Sequence, residues 1–360
     1  MSTQRIAVIG AGHLGKIHLR RLKATSDCEV VAMAEPMAEV RHAIEAEFNV
    51  ATVEDYRQLL GRVDAVIIAT PTSNHLESAL WCLENGIHCF VEKPLVRSAR
   101  HADLLIHVAR RRNLVLQVGH VERFSPTWQA AQPLIQSPYY IEATRTSGYT
   151  GRSTDIGVVF DLMIHDLDLI LNCIDSSVVE ISASGRCVLG HTEDVAEARL
   201  GFENGAIACV KASRISRTPQ RRMTIESDFQ SIEMDFAAAT VDCTRTSQDL
   251  VDGTICADEM APDIRRNING ELFTRWLPHE SVAVQAGNAI DAEQTDFLHA
   301  IKHRVAPKVS GEDARKAISV AERILDTIAA STELRKHARE DSDLPAIIPA
   351  AHRFGKRKAS

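Results

Sequence analysis

Residues 5–15 read RIAVIGAGHLG. Residues 5–9 have the texture of a buried strand, and Leu14, Ile17, His18 and Leu22 then recur at helical spacing. Between them stand Gly10, Gly12 and Gly15 as G-x-G-x-x-G. A strand that turns into a helix through glycines at this spacing reads as the first unit of a doubly wound parallel sheet. The glycines allow a tight turn and a close approach of backbone to a pyrophosphate. The helix N-terminus adds free N–H groups and the positive end of its dipole. Gly10, Gly12, His13, Leu14 and Gly15 are therefore expected to hold a dinucleotide. Glu35 closes the second strand, twenty residues after Gly15. A carboxylate there accepts hydrogen bonds from ribose hydroxyls and repels a 2′-phosphate, which favours NAD over NADP. Arg41, one turn on, keeps NADP open.

The alternation continues to about residue 120. Segments 29–34, 64–70, 88–92 and 114–119 are β-type, and 37–48, 53–60, 75–85 and 98–113 are spaced as helices. Strands separated by helices imply right-handed crossovers and a parallel sheet. Beyond residue 123 the texture changes. Segments 139–147, 178–189, 194–203, 206–213, 222–226 and 231–236 are β-type and closely spaced, with one helix at 158–173. That is an α+β pattern. Asn204-Gly205 predicts a type I′ hairpin. Ser310 and Asp313 form a capping box ahead of the apolar stripe Ala317, Ile318, Ala321, Ile324, Leu325 and Ile328. Segment 250–290 shows no clear period. The expected division is 1–122 for the dinucleotide, 123–345 for substrate and assembly, and a basic tail over 346–360.

Composition narrows the function. The net charge of −7 and an aromatic content of 5% argue against nucleic acid as partner. Eight scattered cysteines with no CxxC pair, several of them in apolar runs, read as free buried thiols in a reducing compartment, without disulfides or a zinc site. No run approaches the roughly 18 apolar residues of a membrane span, and the first residues lack a signal-peptide pattern. A cytoplasmic chain with no membrane partner is expected.

Two constellations carry chemistry. Glu92-Lys93-Pro94 follows a strand, at the sheet end where ligands of open α/β sheets lie. Taken alone, Lys93 reads first as an ordinary surface lysine before a turn proline. Asp161 and His165 are i and i+4 on the expected helix 158–173, so they share a face. A carboxylate beside an imidazole favours its protonated form and fixes the ring, which suits a base that takes a hydroxyl proton as hydride leaves the same carbon. A metal at His165, Asp166 and Asp168 is not expected, because the spacing matches no ligand signature. Residues 119–124, GHVERF, either cover a cofactor or form a salt-bridged linker.

With these residues in view, the chain resembles the Gfo/Idh/MocA family of NAD(P)-dependent oxidoreductases. The resemblance rests on GAGHLG at 10–15, ATPTSNH at 69–75, EKP at 92–94, the D-x-x-x-H of Asp161 and His165, and VSGEDARKA at 309–317. It implies an N-terminal Rossmann domain and a C-terminal domain with a large open, mainly antiparallel sheet, through which such chains form homodimers or homotetramers. It also implies roles. Lys93 would contact substrate and nicotinamide ribose, Asp161 would orient the substrate hydroxyl, and His165 would be the general acid/base. Thr70, Pro71, His75 and Glu92 would line the cofactor site. GHVERF and RSTDIGVVFDLMIHDLDLIL at 152–171 resemble the branch that oxidises the 3-hydroxyl of UDP-N-acetylglucosamine. By that resemblance Arg123 and Arg152 face the substrate, and Arg145, Arg152, Arg214 and Arg217 are candidates for its diphosphate. A myo-inositol or free-sugar dehydrogenase is the nearest alternative. A non-catalytic NAD-binding sensor is the alternative from another class, and NAD-assisted glycoside hydrolysis a more distant one.

Overall fold

The computed structural model describes residues 3–151, 156–267 and 270–340. Six strands, β1 (Gln4–Ile9), β2 (Cys28–Ala34), β3 (Thr52–Val53), β4 (Ala65–Ile68), β5 (His88–Glu92) and β6 (Leu116–Gly119), form a wholly parallel sheet in the order β3-β2-β1-β4-β5-β6. The crossovers include α1 (His13–Leu22), α2 (Ala38–Phe48), α3 (Thr72–Glu84) and α4 (Ala99–Arg112). Strand order reverses between β1 and β4, which opens a crevice at the carboxyl ends of the strands. Alternation within each strand feeds two apolar layers. Ile6, Val8, Ile67 and Phe90 cluster with Leu19, Leu22 and Ile44, while Ala7, Ile9, Val66 and Val91 cluster with Leu83 and Leu105. Helices thus cover both faces, as the near-continuous apolar strands require.

The short α5 (Pro126–Ala131) leads to a second sheet of β7 (Tyr140–Thr146), β8 (Val178–Arg186), β9 (Val195–Phe202), β10 (Ile207–Ser213), β11 (Gln220–Ser227), β12 (Gln230–Asp235), β13 (Thr240–Arg245) and β14 (His279–Val282). Their order is β14-β13-β12-β11-β7-β10-β9-β8, antiparallel throughout except for the parallel pair β7 and β10. Helix α6 (Ile164–Cys173) packs on this sheet through β7 and β10, and the small α7 (Gln248–Val251) and α8 (Pro262–Asn267) lie between β13 and β14. Two further helices return to the first sheet. In α9 (Ala289–His303), Phe297 and Leu298 join the cluster of Ile6 and Phe90. The long α10 (Gly311–Glu340) lies against α4, α6 and β8. Its start is capped as expected: Ser310 Oγ accepts from Asp313 N–H at 3.2 Å, and Asp313 Oδ2 accepts from Ser310 N–H at 3.0 Å.

Three local expectations are corrected, and one segment without a pattern is filled in. Residues 53–60 are not an α-helix but the end of β3 and a 3₁₀ turn at Tyr56–Leu59, because Asp55 and Gln58 close a reciprocal cap that stops at Gly61. The β9–β10 connection is not type I′. Among its residues only Gly205 has positive φ (87°), and the loop closes as a longer turn between Phe202 and Ala206. The patternless 250–290 holds β14, α7, α8 and the start of α9. The cysteines are free, but Cys187 and Cys256 are exposed rather than buried. No described helix is long and apolar enough to cross a membrane. Arg152 and the basic tail 346–360 lie outside the described residues.

Candidate active site

The glycine turn sits where β1 meets α1. Gly10 has φ of 99°, and a Cβ there would stand 2.7 Å from the Ala69 carbonyl oxygen. A Cβ on Gly15 would stand 1.9 Å from the Gly10 carbonyl oxygen. Gly12 faces open space, with nothing within 4 Å of a Cβ. Gly12 caps α1 without a side-chain bond, and the first turn carries no acid, so its N–H groups point into that space. His13 and Leu14 are exposed beside it. Glu35 accepts from Ala11 N–H at 3.0 Å and from Met37 N–H at 3.1 Å, which holds its carboxylate at the rim of the turn. The guanidinium of Arg41 donates to the carbonyls of Glu35 and Pro36 at 2.9 and 2.7 Å. Thr70, at the end of β4, has a buried hydroxyl with no partner among the described residues, and Pro71 after it is exposed. An open glycine cradle, a free helix N-terminus, an acid at its rim and an orphaned hydroxyl fit the dinucleotide that the motif implies.

Lys93 leaves the end of β5 and reaches the other sheet's helix. Its Nζ donates to Asp161 Oδ1 at 2.9 Å and to the Asp161 carbonyl at 2.6 Å. Asp161 does not lie on a regular helix, because Val159–Met163 form a π turn ahead of α6. Gly157 makes this start possible. A Cβ there would stand 2.1 Å from the Glu193 carboxylate, which accepts from Val159 N–H at 3.0 Å. The expected pairing of Asp161 with His165 is therefore corrected: the π turn breaks the i,i+4 geometry, and Asp161 serves Lys93 instead. Among the described residues His165 has no carboxylate partner. Burial, together with the positive charges of Lys93 and Arg145, holds its imidazole well below the usual histidine range. It is thus a neutral ring, with Nδ1 buried and unpartnered among the described residues.

Other expected site residues are placed elsewhere. Glu92 turns inward: His18 Nε2 lies 2.6 Å from Glu92 Oε1, and Gln294 donates to His18 Nδ1 at 2.8 Å. Against burial, the His18 bond and Lys93 hold the Glu92 carboxyl low. Glu293 joins this cluster, with one donor atom of each of the three side chains within 4.8 Å of the others. Burial and the neighbouring Glu92 push the Glu293 carboxyl well above its usual range. His75 is buried. Its two ring nitrogens lie 2.9 Å from the Pro94 and Thr70 carbonyls, stapling two loops together. Arg123 is buried against Asp168, with Nε–Oδ2 2.6 Å and Nη2–Oδ1 2.9 Å, which makes GHVERF a salt-bridged linker at this position. Arg145 is buried between Asp166 and Glu122, and Arg214 against Asp194, so neither is free for a diphosphate. Arg217 is exposed. His120 of the GHVERF segment stands at the end of β6, edge to face with His165, and Arg221, which the sequence pattern did not mark, is exposed on β11 and near enough to His165 to lower its basicity. Arg221 lies one residue ahead of the β-type segment 222–226, so no strand pattern marked it.

Comparison with known proteins agrees with this architecture. Residues 4–120 match the oxidoreductase family with NAD-binding Rossmann fold, and residues 127–233 match the GFO/IDH/MocA C-terminal domain. UDP-N-acetylglucosamine 3-dehydrogenase of Acidithiobacillus ferrooxidans is 34% identical over 89% of this chain and 96% of its own. A solved structure of that enzyme, GnnA, superposes with a TM-score of 0.80 at 31% identity, covering 92% of this chain and 99% of the other. Inositol 2-dehydrogenase of Rhizobium meliloti is 25% identical over 92% of this chain and 99% of its own.

Proposed function

Since the chain belongs to the Gfo/Idh/MocA family of NAD-binding oxidoreductases, we propose that it oxidises the 3-hydroxyl of a UDP-N-acetylhexosamine with NAD. The observation that carries the chemistry is the Lys93 ammonium, anchored on Asp161, beside a neutral His165. The bound nicotinamide would supply the hydride acceptor. Everything else falls to side chains. His165 takes the hydroxyl proton, which a neutral imidazole can accept at ordinary pH. Lys93 presents fixed positive charge to the alkoxide that develops as that proton leaves. Asp161 holds the ammonium in place and accepts from the substrate hydroxyl. Gly12 and the N-terminus of α1 receive the dinucleotide pyrophosphate.

Glu35 at the rim supports NAD over NADP, and the Arg41 guanidinium is engaged with the carbonyls of Glu35 and Pro36. The nucleotide-sugar reading rests on the 34% identical relative. On this chain Arg221 and Arg217 replace Arg123, Arg145 and Arg214 as partners for the diphosphate, being exposed rather than buried in ion pairs. The outward face of the second sheet, with Tyr140, Ser182, Arg199 and Lys211, is the surface we assign to homodimer or homotetramer contact.

Purified protein is expected to generate NADH absorbance with UDP-N-acetylglucosamine and NAD, less with NADP, and none after His165→Ala. The inositol relative supplies the control substrate. NADH formed from myo-inositol but not from the nucleotide sugar overturns the substrate reading, and undiminished turnover by His165→Ala overturns the role of His165.

A further inference from the structure

Beyond Gly119 the chain leaves β6 through His120, whose side chain is 1% exposed. Neither Nδ1 nor Nε2 of that ring finds a hydrogen-bond partner, and among the described residues no other imidazole is orphaned at both nitrogens. A buried polar atom without a partner disfavours the folded chain. Three more facts locate the ring. It meets His165 edge to face, with centroids 6.4 Å apart and planes at 87°. Gly119 before it packs on Glu92, since a Cβ there would stand 2.9 Å from Glu92 Oε2, so the ends of β5 and β6 converge beside Lys93. The orphaned atoms Thr70 Oγ1 and His165 Nδ1 belong to the end of β4 and to α6, around the same crevice.

We infer that His120 is a ligand-anchoring residue: its nitrogens hydrogen-bond the polar group that arrives where the nicotinamide meets the sugar, while its ring braces His165. The inference rests on the dinucleotide reading of the crevice. The charged groups around the ring are Lys93 and Glu92 from β5, Arg123 from the linker and Asp168 from α6. Burial first, then the two cations, outweighs the two acids and keeps the ring neutral. A neutral imidazole offers one donor and one acceptor, the chemistry a carboxamide or a hydroxyl asks for. The orphaned atoms then gain their missing partners when ligand enters. A packing role alone gives no reason for an imidazole where a phenyl ring fits.

The test uses the full chain and two probes, NADH alone by fluorescence titration and UDP-N-acetylglucosamine titrated in the presence of NADH. His120→Phe keeps the ring and removes both nitrogens. It is expected to weaken one probe about tenfold, with unchanged circular dichroism. Loss with NADH identifies the carboxamide as the partner, and loss only with the sugar identifies a hydroxyl. His120→Asn, which keeps a donor and an acceptor, is expected to recover part of the loss. It also serves alone if the phenyl variant does not fold, then showing a loss of about threefold. Wild-type binding of both probes with no loss in either variant overturns the inference alone. A wild-type chain that binds neither probe overturns the dinucleotide reading and the inference with it.

Discussion

His165 owes its chemistry to the sign of its surroundings. Among the described residues no carboxylate partners it, and burial, Lys93, Arg145, His120 and Arg221 all disfavour its protonated form. A base with a depressed pKa is free of its proton over a wider range of pH. The acidic limb of kcat/KM with the nucleotide sugar is therefore expected below about 6.5, the ordinary histidine value. Lys93→Met removes one of the depressing charges, so the limb moves upward while the overall rate falls. A pH–rate series on both proteins checks this, and a limb that stays in place or moves down removes Lys93 from the electrostatics of the base. Motif and spacing alone made Lys93, Asp161 and His165 legible as residue types worth naming. The pairing within the trio was not legible, because an i,i+4 argument assumes a regular helix. The π turn at Val159–Met163 depends on Gly157 and Glu193, which are distant in sequence and meet only in the fold.

At the scale of elements, the fold was legible wherever one strand or helix period ran undisturbed, as in β1, β5, α4 and α10. It was illegible where side chains far apart in sequence decide the matter. The pairs Arg123–Asp168 and Arg145–Asp166 bind the linker and β7 to α6, so arginines that suit a diphosphate on paper are consumed in the interior. The contact of α9 with α1 is of the same kind. Glu293 of α9 lies 1% exposed near Glu92 and His18, with its carboxyl pushed well above the usual range by burial and by Glu92. A raised folded pKa means that the folded chain retains a proton the unfolded chain has released. Stability from this group is then full below the unfolded value of about 4.3 and is lost as pH rises toward the folded value. Glutamine is neutral throughout. Glu293→Gln is expected to be more stable than wild type at neutral pH, with the gap closing on acidification toward pH of about 4. Urea unfolding at a series of pH values measures this, and parallel pH dependences for the two proteins refute it.

The whole molecule is two sheets tied together by a chain that crosses between them more than once. The texture change near residue 122 suggested a single passage from a dinucleotide half to a sugar half. The structure adds two returns: α9 covers one face of the first sheet, and α10 lies against α4 of the first half and against α6 and β8 of the second. No local pattern announces this, since a helix with one apolar stripe looks the same whichever partner it finds. The consequence is mechanical. Gly12 and Lys93 belong to the first half, Asp161 and His165 to the second, and the 2.9 Å contact of Lys93 with Asp161 joins them. That geometry survives only if the halves are held together, and α10 is the largest element that does so. Ile318 is fully buried in it. Ile318→Ala leaves a cavity and is expected to cost about 2–5 kcal/mol. Because α10 packs on both halves, amide protection in β4 and in β10 should fall by the same amount, as in one cooperative unit. Hydrogen exchange on the wild type and the variant measures both strands at once. A loss confined to β10 would mean that the halves are stable independently, and that the contact between Lys93 and Asp161 is held by something other than α10.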